Sequence, residues 1–177
     1  MSTITQKICL LGDFNVGKTS LVRRFIEDQF SDRYLSTVGV KVSRKSVEVK
    51  NNPDIHQINL LLWDLEGNTK FKSITPSYLK GASGSIIVAD LSRTDTLQNL
   101  HQHLELFLEV NPQGQAIIAL NKADLVPSEK LAQLLENYQP QNFPGILGVY
   151  PTSAKTGDRV EEIFQELALA LTSGEKP

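Results

Sequence analysis

Short apolar runs alternate with segments of helical period along this chain, and that alternation restricts the fold more than any other property. Ile8-Cys9-Leu10-Leu11 is a buried-strand candidate, followed by Gly12 and a glycine-containing loop. Leu21, Val22, Phe25 and Ile26 then recur at helical spacing, so a helix is expected to begin near Gly17 or Lys18. Two longer strand candidates, about residues 38–49 and 55–63, flank Asn51-Asn52-Pro53-Asp54, a turn cluster that makes the pair a hairpin. Three further short apolar runs cover residues 85–90, 115–120 and 146–150. Between and after them lie helical stripes: Leu97, Leu100, Leu104 and Leu108; then Leu131, Leu134 and Leu135; finally Val160, Ile163, Phe164 and Leu167. Residues 139–144, rich in Pro, Gln and Asn, read as a surface loop. Strands separated by helices require a parallel sheet covered on both faces. Six strands are expected, the hairpin contributing one antiparallel edge strand.

The chain has 177 residues, which suits one domain over residues 1–177. An apolar fraction of 40% supplies a core that needs no disulfide or metal staple. A net charge of -2 argues against a basic surface for nucleic acid. The single cysteine, Cys9, excludes an internal disulfide framework and cysteine-based zinc sites, and the three histidines lack metal-site spacing. No apolar run approaches the roughly 18 to 20 residues of a membrane span. Met1-Ser2-Thr3 opens into an alternating segment rather than a secretory signal, and neither terminus carries a lipidation motif. The expectation is a soluble, cytoplasmic, monomeric protein without a direct lipid anchor.

Gly12-Asp13-Phe14-Asn15-Val16-Gly17-Lys18-Thr19 fits G-x-x-x-x-G-K-[ST] between a strand and a helix, the context in which this pattern binds phosphate. Glycines let the backbone curl so that its N–H groups point inward, and the helix N-terminus adds partial positive charge. Lys18 reaches the β- and γ-phosphates, and the Thr19 hydroxyl is a hard oxygen ligand for Mg2+. Asn15, Val16, Gly17, Lys18, Thr19 and Ser20 are the expected phosphate-loop contacts.

Asn121-Lys122-Ala123-Asp124 follows the fifth strand and fits N-K-x-D. The Asp124 carboxylate can accept from both N1–H and the exocyclic N2 amine of guanine, a donor pair adenine lacks. Asn121 is expected to brace the base and neighbouring loops, with Lys122 beside it. Ser153-Ala154-Lys155 stands after the sixth strand, where the Ala154 N–H can reach guanine O6 and Lys155 can cover the base face. Trp63-Asp64-Leu65-Glu66-Gly67 ends the third strand, placing Asp64 to hold the Mg2+ shell through water and the Gly67 N–H to contact a γ-phosphate.

Together these motifs resemble the small GTPases of the Ras superfamily, and the Rab branch fits best over about residues 5 to 172. Ser36-Thr37-Val38-Gly39-Val40 resembles the Rab first switch. Phe71-Lys72-Ser73-Ile74 and Tyr78-Leu79-Lys80-Gly81-Ala82 resemble second-switch segments. The resemblance implies the P-loop small G-protein fold, an α/β architecture with helices on both faces of the sheet. It implies that Thr37 coordinates Mg2+ and senses the γ-phosphate, Phe30 packs against guanine edge-on and Tyr34 closes over the phosphates. Asn68, Gly67, Lys18 and Thr37 are then the catalytic set, and Thr19, Thr37 and Asp64 the metal set. The implied function is a GTP/GDP switch with Mg2+ whose GTP-ordered surface meets effectors, exchange factors and GTPase-activating proteins.

Three departures from the family cluster at the γ-phosphate. Asn68 replaces the glutamine that orients the attacking water. Its side chain is one methylene shorter, and misplacement by about 1 Å can cost about 10²-fold in rate. Phe14 stands where Gly, Ser or Ala is usual and would crowd the water-orienting side chain and any arginine finger from a partner. Leu65-Glu66 replaces the usual Thr-Ala, so Glu66 brings a carboxylate toward the γ-phosphate unless it turns to solvent. All three predict slow hydrolysis, but slow hydrolysis favours the GTP form whereas a Glu66–phosphate clash favours GDP. The tail carries no prenylatable cysteine, a fourth departure. Two other readings compete: a binding scaffold deficient in hydrolysis, and a P-loop ATP-dependent kinase, which Asp124 and the lack of a clear arginine lid argue against.

Overall fold

The computed structural model describes residues 3–33, 37–51, 54–67 and 74–173. Six strands form one sheet: β1 (Ile4–Gly12), β2 (Val40–Asn51), β3 (Asp54–Leu65), β4 (Gly84–Asp90), β5 (Gln115–Asn121) and β6 (Ile146–Pro151). Their order is β2-β3-β1-β4-β5-β6, with β2–β3 antiparallel and every other pair parallel. The expected sheet with one antiparallel edge strand is therefore what forms. Among the described residues, five α-helices pack around it: α1 (Lys18–Glu27), α2 (Thr94–Gln98), α3 (Leu100–Val110), α4 (Ser128–Asn137) and α5 (Val160–Ser173).

Alternation within the central strands builds two cores. Ile8, Leu10, Ile86, Val88, Ile117 and Ala119 join Leu21, Val22 and Phe25 of α1 and Ile163, Phe164 and Leu167 of α5. The intervening residues Cys9, Leu11, Ile87, Ala89, Ile118 and Leu120 join Leu97, Leu100, Leu104 and Phe107 of α2 and α3, with α4 packed against their edge. A strand buried on both faces reads as a continuous apolar run because each parity has its own core to enter. Cys9 is fully buried, and burial pushes its thiol up to about 11 against a smaller pull from Lys7.

Of the differences from the sequence expectation, four have a clear physical reason. β1 starts at Ile4, ahead of its apolar run, because it pairs with β3 from Ile4↔Ile58 onward. β2 starts at Val40 rather than 38, since Val38 is 80% exposed and Gly39 takes a φ of 71° that leaves the extended region. The leucine stripe from Leu97 to Leu108 is two helices that meet at Asn99, and His103 and Phe107 are buried where Leu108 lies at the edge. Residues 139–144 are a 3-10 turn at Pro140–Asn142 followed by Phe143, which is 2% exposed and stacks on His101. That segment is a surface loop in its backbone only. Among the described residues, no helix is long and apolar enough to cross a membrane.

Candidate functional site

The loop from Gly12 to Gly17 turns sharply between β1 and α1, and two glycines make the turn sterically possible. A Cβ on Gly12 would lie 2.4 Å from the Val88 carbonyl oxygen of β4. At Gly17, φ is 101° and a Cβ would lie 2.2 Å from Asn121 Nδ2. Five consecutive carbonyls of this loop accept from side-chain donors. Lys18 Nζ donates to the oxygens of Gly12 (3.2 Å) and Asp13 (2.9 Å). Arg93 Nη1 donates to Phe14 (2.8 Å), Lys122 Nζ to Asn15 (2.9 Å) and Asn121 Nδ2 to Val16 (3.0 Å). With its carbonyls so engaged, the loop holds one conformation and sets the direction of its amides. Burial pushes the Lys18 ammonium down to about 8, with Asp64 and Asp13 acting in the opposite direction. A buried cation held at the cost of desolvation suits an anion larger in charge than its neighbours supply.

Beside Lys18 the Thr19 hydroxyl lies 2.6 Å from Asp64 Oδ2 and 2.7 Å from the Thr37 hydroxyl, and Thr37 Oγ1 is 3.5 Å from the same carboxylate oxygen. Asp64 is 1% exposed, and its Oδ1 has no hydrogen-bond partner among the described residues. Burial pushes its carboxyl up; the Thr19 bond and the nearby Lys18 and Lys41 oppose that. An orphaned buried carboxylate oxygen next to two hydroxyl oxygens is a hard-oxygen set of the kind Mg2+ takes. No group of three or more His, Cys, Asp or Glu that could hold a metal occurs among the described residues. A cation here would complete its shell with oxygens from water or a bound phosphate.

The N-K-x-D segment organises the far side. Asn121 also accepts at Oδ1 from Thr152 Oγ1 (3.2 Å) and the Ala154 N–H (3.3 Å), linking three loops through one amide. Lys122 adopts a left-handed φ of 62°, and its ammonium lies 2.9 Å from Asp90 Oδ2 as well as on the Asn15 carbonyl. Asp124 Oδ1 accepts from Ser153 Oγ at 2.7 Å. Arg24 of α1 donates from Nε to the Ala154 carbonyl (2.8 Å) and from Nη2 to that of Lys155 (2.6 Å), which ties the last loop to the phosphate-loop helix.

These parts surround one cavity of about 380 Å³. Asn15, Gly17, Lys18, Thr19 and Ser20 line one end with Thr37 and Gly67; Asn121, Lys122, Asp124, Ala154 and Lys155 line the other, and Phe30 adds a half-buried aromatic wall. Val16, Asp64 and Ser153 stand behind that lining and act on it through Asn121, Thr19 and Asp124. Phe14 also lines the cavity, 40% exposed, with its backbone so close to Gly67 that a Cβ on the glycine would lie 2.5 Å from Phe14 Cα. Asn68 and Tyr34 lie outside the described residues, as do Ser36 and residues 71–73 of the switch segments.

Glu66 takes neither orientation considered from the sequence. Its carboxylate accepts from the Gly39 N–H at 3.1 Å, and its own N–H donates to the Gly39 carbonyl at 2.8 Å. The sequence reading also missed Asp13 as more than a motif filler. It is buried, its Oδ1 lies 2.8 Å from His103 Nε2 and its Oδ2 accepts from Asn99 Nδ2 at 2.7 Å. Burial alone would raise its pKa, but the His103 and Asn99 bonds outweigh that and hold it below the usual carboxylate value. Arg93, Asp90 and Arg24 were missed likewise, because their partners are separated from them by long stretches of chain.

Residues 7–124 match the family described as Ras of Complex, Roc, domain of DAPkinase. The GTP-binding protein ypt5 of Schizosaccharomyces pombe is 33% identical over 98% of this chain and 81% of its own length. Ras-related protein Rab-13 of Mesocricetus auratus is 33% identical over 95% of this chain and 81% of its own. Ras-related protein Rab-22A of Homo sapiens is 31% identical over 94% of this chain and 84% of its own. With the sheet order, the strand–loop–helix at Gly12–Thr19 and the cavity it opens, these similarities place the chain as a Rab-like member of the Ras superfamily of small GTPases.

Proposed function

We propose that this protein binds GTP and GDP with Mg2+, hydrolyses GTP slowly, and presents its switch surface to effectors, exchange factors and GTPase-activating proteins. The observation that carries this reading is the meeting of Lys18, Thr19 and Asp124 on one cavity. The phosphate loop faces its Lys18 ammonium and helix N-terminus toward a polyphosphate, while Asp124, steadied by Ser153, offers two acceptor oxygens to the N1–H and N2 amine of guanine. Adenine presents no such donor pair, so an adenine nucleotide would leave the carboxylate unmatched. Thr19, Thr37 and Asp64 would hold Mg2+, which when bound neutralises developing charge on the phosphate oxygens.

Slow hydrolysis rests on Asn68 and Phe14. Asparagine carries the water-orienting amide about 1 Å short of a glutamine, and catalysis of phosphoryl transfer is mostly positioning. Phe14 lines the cavity and its backbone packs against Gly67, the residue before Asn68, which supports a crowding role for this bulky residue. Glu66 is engaged by Gly39, which removes the clash that would have favoured GDP.

Single-turnover conversion of GTP to GDP tests the reading. The wild-type rate is expected to lie about 10²-fold below that of an Asn68→Gln, Phe14→Ser double variant. Equal rates would overturn slow hydrolysis, and a complete lack of GDP formation would favour the scaffold. Equal affinity for ATP and GTP would overturn the role of Asp124.

A further inference from the structure

We infer that Glu66 is a positioning residue that clasps the first switch to the end of β3 and holds Thr37 at the Mg2+ site with the same strength in the GDP and GTP forms. This rests on the nucleotide-switch reading above.

The antiparallel ladder between β2 and β3 ends formally at Val40↔Leu65. One step further, Gly39 and Glu66 would exchange two backbone hydrogen bonds if the ladder simply continued. Only one is a backbone bond, from the Glu66 N–H to the Gly39 carbonyl. Gly39 has a φ of 71°, and its own N–H goes to the Glu66 side chain, Oε2, at 3.1 Å. The carboxylate thus replaces the missing strand bond with a charge-assisted one. Alanine, usual here in the family, has no acceptor with which to do this.

Thr37 lies two residues before that bond, with its hydroxyl 2.7 Å from Thr19 Oγ1 and 3.5 Å from Asp64 Oδ2. Gly39 has a conformation that turns the chain from the ladder toward Thr37, and the clasp fixes the base of that turn. Both partners belong to the chain, and the bond contains no atom of the nucleotide. Its contribution to the closed arrangement is therefore independent of whether a γ-phosphate is bound.

A constant bias changes populations unequally. A bond to a charged acceptor shifts a two-state equilibrium by about 10-fold or more. The GTP form, already held closed by contacts with the γ-phosphate, gains little population from that factor. In the GDP form, where open and closed arrangements are nearer balance, the same factor moves most molecules to the closed one. The inferred result is a switch whose first-switch surface differs little between nucleotide states, so partners that read this surface discriminate weakly between GDP and GTP forms.

Methyl NMR of Val38 and Val40 tests this, because rapidly exchanging shifts average by population. Wild-type protein, Glu66→Ala and Glu66→Gln are each compared in Mg2+·GDP and in Mg2+ with a non-hydrolysable GTP analogue. Wild-type shifts are expected to coincide in the two complexes. In Glu66→Ala the GDP signals move alone, by an amount equal to about a 10-fold fall in the closed-to-open ratio. Glu66→Gln, which keeps a neutral acceptor, falls between. Wild-type complexes that differ as widely as those of Glu66→Ala would overturn the inference while leaving nucleotide binding intact. Calorimetry that finds no binding of either nucleotide to the wild-type protein would overturn the underlying reading and this one together.

Discussion

Asp13 is a carboxylate buried within a phosphate-binding loop, where an uncompensated negative charge would oppose both folding and ligand. His103 and Asn99 each give it a hydrogen bond, and Lys18 adds a nearby positive charge. The pair from α3 and the helix junction thereby grips the loop from the side opposite the cavity. His103→Ala is expected to destabilise the protein by about 1–3 kcal/mol, the cost of stripping one partner from a buried charged group. Urea denaturation at pH 7 measures it. The sign of the pH dependence follows from the lowered pKa: the contribution is present above the unfolded value, about 3.9, and is lost as pH falls through the lower native one. Acidifying to pH 3 should consequently destabilise the wild type more than His103→Ala. Motif spacing points to the side chains proposed to meet phosphate and guanine, since those residues lie close together in sequence. Asp13 is separated from Asn99 by 86 positions and from His103 by 90, and one sequence contains nothing that couples them.

At the scale of elements, α1 and α5 are joined by a ring stack. Phe25 and Phe164 lie 4.0 Å apart between centroids at an interplanar angle of 6°, both buried. The Lys45 ammonium sits 3.9 Å from the Phe25 centroid, so β2 is fastened to the same pair. Phe164→Ala should lose about 3–5 kcal/mol, whereas trimming Leu169 on the solvent side of α5 should cost far less. Comparing their urea midpoints checks the contrast. The apolar periodicity of α5 was legible because its face enters one core, and the central strands were legible because both their faces do. Two elements were less so. Asn99 divides α2 from α3 although the leucine spacing continues across it, for its side chain is drawn to Asp13. Phe143 was hidden among polar neighbours, since a single anchor in a loop produces no period.

For the molecule as a whole, the cavity is lined from five connecting segments, those after β1, α1, β3, β5 and β6, so a ligand bound there must tie them together. Ligand at about 1,000 times its dissociation constant stabilises the native state by about 4 kcal/mol. In a chain of this size each kcal/mol raises the melting temperature by about 2–4 °C. Melting followed by dye fluorescence should therefore shift upward by about 8–16 °C with excess GDP and Mg2+. The same concentration of ADP should give almost no shift, and an equal one would contradict the guanine assignment.

Local order in the chain was enough to specify the sheet, its single antiparallel edge and the motifs of a small GTPase. Strands, helix starts and binding motifs are all written in neighbouring residues. What tertiary structure decided was the set of long-range partners: the carbonyl acceptors for Arg93 and Lys122, the His103 and Asn99 bonds to Asp13, and the turn of Glu66 onto Gly39. A hydrogen bond needs its two atoms within about 3 Å, and only the completed fold brings such distant residues that close.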